Sequence, residues 1–190
     1  EHSRRNAFIM MARTDQLQLR AGNLELVLSP SVGGGIHSLT WLGGGRPVPL
    51  MRESHSGEQS VLGLASFPLV PYVNRIRGGR FTFRGREVVL APNMDGDISP
   101  LHGQGWLGAW TVESHGNQDA ELRFVHEAGE WPWSYEALQI VILDENGLSI
   151  RLQCRNDSDE PMLARAASAL ESQRAFLPAL QPGKRRDLRR

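Results

Sequence analysis

Three side chains in this sequence have types and spacing that could act together: Asn74, Arg75 and His102. The first two are adjacent, inside the run Phe67-Pro68-Leu69-Val70-Pro71-Tyr72-Val73-Asn74-Arg75-Ile76-Arg77-Gly78-Gly79-Arg80-Phe81-Thr82-Phe83. The third follows in Leu101-His102-Gly103-Gln104-Gly105-Trp106. An asparagine amide both donates and accepts, and an arginine offers a planar fork of donors. On a stiff loop the pair is suited to gripping several hydroxyls at once. His102, in a Gly-flanked turn, adds a group that titrates near neutral pH. Each residue also has a plain reading. Asn74 could be a turn residue that tolerates left-handed geometry. Arg75 could pair with a surface carboxylate, and His102 could be solvated. The ordered combination favours a shared site.

That combination has a family likeness. Pro71-Tyr72-Val73-Asn74-Arg75-Ile76-Arg77-Gly78-Gly79-Arg80-Phe81, followed by Leu101-His102-Gly103 and a Trp, resembles the aldose 1-epimerase (galactose mutarotase) family. The likeness extends more loosely from about Leu17 to Met162. Trp131-Pro132-Trp133-Ser134-Tyr135 is similar to a string in the family's sugar-epimerase branch. The resemblance implies an all-β, antiparallel β-supersandwich with a sugar site in a groove over one sheet. It implies that α and β anomers of a hexose or hexose phosphate interconvert by acid/base ring opening. Asn74 and Arg75 would bind sugar hydroxyls. His102 would be catalytic, hydrogen-bonding near the ring oxygen. Arg77 and Arg80 could favour a phosphorylated sugar.

Ring opening needs a base at the anomeric hydroxyl and an acid at the ring oxygen, on opposite sides of the sugar. It needs no metal and no redox cofactor. In the family the acid is a His in a Gly-x-His-Pro-aromatic strand, and the base is a Glu much farther along. Neither, nor a further sugar-binding Asp, can be assigned to a residue here. The chain is therefore expected to be impaired in catalysis. A non-catalytic carbohydrate-binding protein and an unfolded relic with exposed sheet edges are the rival readings.

The bulk numbers fit a small neutral ligand. Lys plus Arg is 21 and Asp plus Glu is 21, so no global field favours nucleic acid or an anionic membrane. No run approaches the ~18 apolar residues of a membrane span. The single Cys154 excludes an internal disulfide and a Cys-based zinc site, and reads as a small hydrophobe in a strand. His115 and His126 are too far from His102 in sequence for a recognisable zinc pattern. Trp106, Trp110, Trp131 and Trp133 read as packing residues, with stacking on a sugar face as the alternative. Ser3-Arg4-Arg5 faintly resembles an export signal, but the apolar run after it is short, and a cytoplasmic location is expected.

The elements that must position these residues read as strands. Leu17, Leu19, Leu24, Leu26 and Leu28 alternate with polar or smaller partners around Ala21-Gly22-Asn23, a hairpin pattern. Ile36 to Trp41 is a further strand. Leu42 to Pro49 reads as turn and Leu50 to Ser60 as surface loop. The glycine triplets at 33–35 and 43–45 precede no Gly-Lys-Ser/Thr and no helix pattern, so neither is a phosphate loop. Phe81 to Leu90 is a hairpin turning at Arg84-Gly85, and Ala91 to Pro100 is a loop delivering His102. Trp110 to Glu113 and Glu121 to Glu127 are strands about Gly116-Asn117. Tyr135 to Leu143 and Leu148 to Arg155 pair about Asp144-Glu145-Asn146-Gly147, and Asn-Gly is a strong hairpin signal. At least nine strands indicate a sandwich or barrel.

The chain divides into a leader over 1–15, a partial mutarotase-like β-sandwich over 16–162 and a tail over 163–190. Leu163 to Leu177 is Ala-, Leu- and Arg-rich and reads as a helix; 182–190 is basic and reads as solvated. Arg165-Ala166-Ala167-Ser168-Ala169-Leu170 can be encoded so that a one-base shift reads Gly-Leu-His-Pro-His-Trp. A frame change near Leu163 is the hypothesis this raises. Codons that cannot yield His-Pro in another frame would end it.

Overall fold

The computed structural model describes residues 16–170. Leu17–Ala21 (β1), Leu24–Ser29 (β2) and Gly35–Trp41 (β3) form an antiparallel meander. Leu17, Leu19 and Ala21 face Leu28, Leu26 and Leu24 across β1 and β2, which puts the period-two leucines on one buried face. A bulge between Val27 and Leu28 sets Leu28 opposite Ile36 and Leu26 opposite Leu39. Ile36 and Leu39 are an odd number of residues apart, and the extra residue lets both point inward. Val48–Pro49 (β4) adds to β3, and Ser66–Leu69 (β5) pairs in register with β3 at Ile36 and Ser66.

The second sheet is the antiparallel run Thr111–His115 (β8), Asp119–His126 (β9), Tyr135–Asp144 (β10) and Gly147–Asn156 (β11). Tyr135, Ala137, Gln139, Val141 and Leu143 of β10 are buried in strict alternation. Val141, Leu143 and Ala120 pack on the leucines of β1 and β2, closing a sandwich. Gln139 is the one amide on this inner face. Its Nε2 donates to Gly34 O at 2.9 Å, so the buried group is satisfied and pins the second sheet to the β2–β3 corner.

Arg80–Phe83 (β6) and Arg86–Val89 (β7) form a separate hairpin. Arg84 and Gly85 both have positive φ, the twist-matched two-residue turn. Phe81 and Phe83 of β6 lie on Trp131 and Trp133, which anchors the hairpin to an aromatic cluster with Tyr72 and Tyr135.

Three sequence readings are corrected. The stretch read as turn contains β4, and the stretch read as surface loop begins with buried Leu50 and Met51, which join the core. The run from Leu163, read as a helix from its composition, instead forms a strand, Ala167–Leu170 (β12), paired antiparallel with β5. Helix preference is worth only fractions of a kcal/mol per residue. A free strand edge with a row of backbone partners outweighs it. Residues 171–177 of that run, the basic stretch at 182–190 and the leader at 1–15 lie outside the described residues. Among the described residues no helix is long and apolar enough to cross a membrane.

Candidate functional site

β5 delivers the chain into Val70-Pro71, joined by a cis peptide, and then to Asn74 and Arg75. The segment from Pro100 to Gly105 runs antiparallel beside it. Ile76 N donates to Pro100 O, His102 N to Asn74 O, and Gly105 N to Val70 O, at 3.0, 3.0 and 3.1 Å. Asn74 N in turn donates to His102 Nδ1 at 3.0 Å. Two motifs 28 residues apart in sequence are thus one continuous surface. Asn74 and Arg75 are exposed and His102 is half-buried.

Both Asn74 (φ 67°) and His102 (φ 59°) are left-handed. Asparagine tolerates this; a histidine there must be held by its surroundings. The hold is visible. Asn93 Nδ2 donates to Leu101 O at 2.7 Å and to Gly103 O at 3.2 Å, and its Oδ1 accepts from Leu101 N at 2.7 Å. Trp106 Nε1 also donates to Gly103 O, at 3.1 Å. From below, Tyr135 donates its hydroxyl to Gln104 Oε1 at 3.2 Å. Burial pushes the Tyr72 phenol up to about 12, opposed by its contact with the Gly103 backbone. Burial likewise raises the Tyr135 phenol, so both stay neutral hydroxyls.

The His102 ring stands edge-on to Trp106, with centroids 5.6 Å apart, and lies 6.4 Å from Phe67 of β5. Because Nδ1 accepts from Asn74 N, the neutral ring carries its proton on Nε2. Burial, and then the nearby Arg75 charge, hold the imidazole below its ordinary 6.5. The unfolded chain therefore takes up this proton first as pH falls. The stability contributed by neutral His102 is intact above 6.5 and is lost as pH drops from 6.5 through the folded value. A ring-nitrogen NMR titration is expected to show Nδ1 bare at neutral pH and a midpoint under 6.5. A midpoint above 6.5 contradicts this.

Arg75 is held by Asp97, Nε to Oδ2 at 2.5 Å. The arginine side chain is 50% exposed and the aspartate 18%, so the anchor is the better-covered partner. Asp97 Oδ1 also accepts from Ser99 N at 2.9 Å. The Arg75 hydrogen bond first, and Ser99 second, keep the Asp97 carboxyl below the usual range. The plain readings of Asn74 as a left-handed turn residue and of Arg75 as a carboxylate-paired cation are thus both realised, in the same arrangement that joins them to His102.

The other candidates are dispersed. Arg80 pairs with Glu87 across β6 and β7 at 3.3 Å, with both side chains exposed. His115 lies near Gln18 O and His126 near Trp131 O, and among the described residues no group of three His, Cys, Asp or Glu side chains could hold a metal. Trp106, Trp110, Trp131 and Trp133 are buried packing residues. Cys154 is half-buried, its thiol pushed up to about 11 by burial and then by Asp157. Asn93 and Asp97 were legible only as members of a loop. The signal for Asp97 was the Asp-x-Ser spacing of a side-chain-capped turn just ahead of Pro100-Leu101-His102.

The aldose 1-epimerase family profile matches residues 15–168 of this chain. The match runs past Met162 and includes the start of β12. The chain is 35% identical over 148 residues to the uncharacterized protein YphB of Escherichia coli K12, covering 76% of this chain and 47% of that protein. A solved structure of a candidate aldose 1-epimerase from the same organism superposes with a TM-score of 0.73 at 32% identity, over 80% of this chain and 50% of that one. A galactose mutarotase-like protein from Clostridium acetobutylicum gives 0.68 at 20% identity, over 80% and 48%, a likeness of fold. The chain spans about half the length of these relatives. With its two larger antiparallel sheets, a separate hairpin and a family match over most of its length, the chain belongs to the aldose 1-epimerase family.

Proposed function

We propose that Asn74, Arg75 and His102 hold a pyranose, in a site whose parent activity is interconversion of the α and β anomers of a hexose. The carrying observation is the reciprocal pair of hydrogen bonds between Asn74 and His102, which makes one polar surface of an amide, a guanidinium and an imidazole. A neutral imidazole with its proton on Nε2 is a donor suited to a ring or hydroxyl oxygen. An arginine engaged through Nε keeps its Nη donors for sugar hydroxyls.

The same reading assigns this chain the grip and not the full proton relay. By resemblance the acid would stand on the strand after Met162. The strand found there, β12, carries Ala-Ser-Ala-Leu, with Ala167 opposite Leu69 at the head of the sugar loop. Neither Ala167 nor Ser168 of that strand carries a carboxyl or imidazole that could serve as the acid at neutral pH. A positioned acid or base is worth about 10²–10⁴-fold each.

Two measurements test this. Polarimetry of freshly dissolved α-D-glucose and α-D-galactose is expected to show no acceleration over buffer. Acceleration abolished by His102→Ala would replace the grip-only reading with a catalytic one. Tryptophan emission, with Trp106 edge-on to His102 as the reporter, is expected to respond to either sugar and to lose that response in Arg75→Ala. No response in the parent chain overturns the sugar assignment.

A further inference from the structure

We propose that the loop from Ala91 to Pro100 is a positioning device, in which Asn93 fixes the His102 turn and Asp97 fixes the Arg75 guanidinium. The functional half of this assignment rests on the sugar-site reading above. Both residues come from one short connection between β7 and His102, and each serves a different member of the site.

Asn93 brackets His102 on both sides. Its three hydrogen bonds go to the backbones of Leu101 and Gly103, the two neighbours of the left-handed residue. All of them are part-buried, so water does not readily replace a lost partner. No hydrophobic group could do this, because the contacts need one acceptor and two donors on one short planar side chain. Asp97 acts on the other arm. It is itself anchored by Ser99 N and meets Arg75 at Nε. An isolated antiparallel bridge then ties the two arms together, joining Arg75 itself to Leu101, the residue before His102. A half-exposed ion pair contributes little to stability, since solvent screens it. Its consequence is orientation: it takes away the rotamer freedom of a long side chain before any ligand arrives.

Asp97 also sets the charge that His102 meets. Arg75 is the charged group acting on the imidazole, and Asp97 is paired with it. Among the described residues, Phe67 of β5, Trp106 and the Asn74 backbone also lie against the ring, and none of these three is charged.

The test uses the full chain with Asp97→Asn, Asp97→Glu and Asn93→Ala, and two independent readouts. Circular dichroism and urea midpoints first establish that each variant is folded. The first readout is the ring-nitrogen NMR titration of His102, which needs no ligand. Asp97→Asn is expected to leave Arg75 without its counter-charge and move the His102 midpoint lower, and Asp97→Glu to restore it in part. Asn93→Ala is expected to weaken the Asn74 N to Nδ1 bond, seen as a change in the Nδ1 shift. The second readout is affinity for D-galactose and D-glucose, expected to fall about tenfold in Asp97→Asn, as for loss of one charged hydrogen bond. His102 titration and shifts that are unchanged in Asp97→Asn and Asn93→Ala overturn the proposal, whatever the sugars do. Changed titration with sugar binding unaffected in Arg75→Ala retires the sugar reading and leaves the positioning assignment standing.

Discussion

Gly103→Ala is expected to destabilise the protein by roughly 2–4 kcal/mol and to dismantle the His102 turn. Two effects add. Gly103 has φ +79°, a conformation that costs a side-chain-bearing residue about 1 kcal/mol or more. A Cβ there would lie 2.2 Å from Pro71 Cδ, 2.6 Å from Val70 O and 2.8 Å from Pro71 N. These are ring and backbone atoms of the Val70–Arg75 segment, so they yield only if that segment moves, and overpacking of this kind costs about 1–3 kcal/mol. Gly96 in the preceding loop is the control. Its φ is +78°, yet nothing lies within 4 Å of the added carbon. Gly96→Ala should therefore show only the conformational cost. Urea midpoints of the two variants decide it: equal shifts would mean that the close approach of Gly103 to Pro71 is not what the fold depends on.

Trp131→Ala is expected to cost about 3–5 kcal/mol, the range for removing a large buried aromatic. Domains of this kind are stable by only about 5–15 kcal/mol in all, so much of the margin would go. Trp131 is 1% exposed and sits among Tyr72, Phe81 and Trp133, with centroids at 5.3, 5.8 and 5.2 Å. It therefore joins the second sheet's approach, the β6–β7 hairpin and the loop that bears Asn74. Trp131→Phe keeps most of the buried area and should cost far less. Chemical unfolding of both is the measurement. A loss under about 1 kcal/mol for the alanine variant would show that the hairpin is anchored elsewhere.

The strands that were legible in the sequence are those whose partners lie next to them in the chain. β1 with β2, β6 with β7 and β10 with β11 announce themselves by alternation and by a short turn. β5 and β12 do not, because their pairing is with each other, about a hundred residues apart, and β5 is buried on all four residues and so shows no alternation. An alanine-rich run says helix until a free edge is known to be waiting for it. The site divides in the same way. Asn74, Arg75 and His102 stand in ordered strings and could be picked out by type. Asn93 and Asp97 act through backbone atoms and a guanidinium brought near by the fold, and nothing in their own neighbourhoods names those partners. Arg75 illustrates the overlap: the carboxylate pairing that read as an ordinary surface contact is the same contact that orients it.

The lateral support of β5 is lopsided. It meets β3 at one residue pair but β12 along its whole length. If β12 peels away, the amides of Ser66, Phe67 and Leu69 lose shelter together, and the cis-proline segment leading to Asn74 is left tethered mainly by its cross-links to the Pro100–Gly105 segment. In deuterium-labelling terms, the amides of Ser66, Phe67 and Leu69 and those of 167–170 should take up label in step, while the β1–β2 and β10–β11 hairpins stay dark far longer.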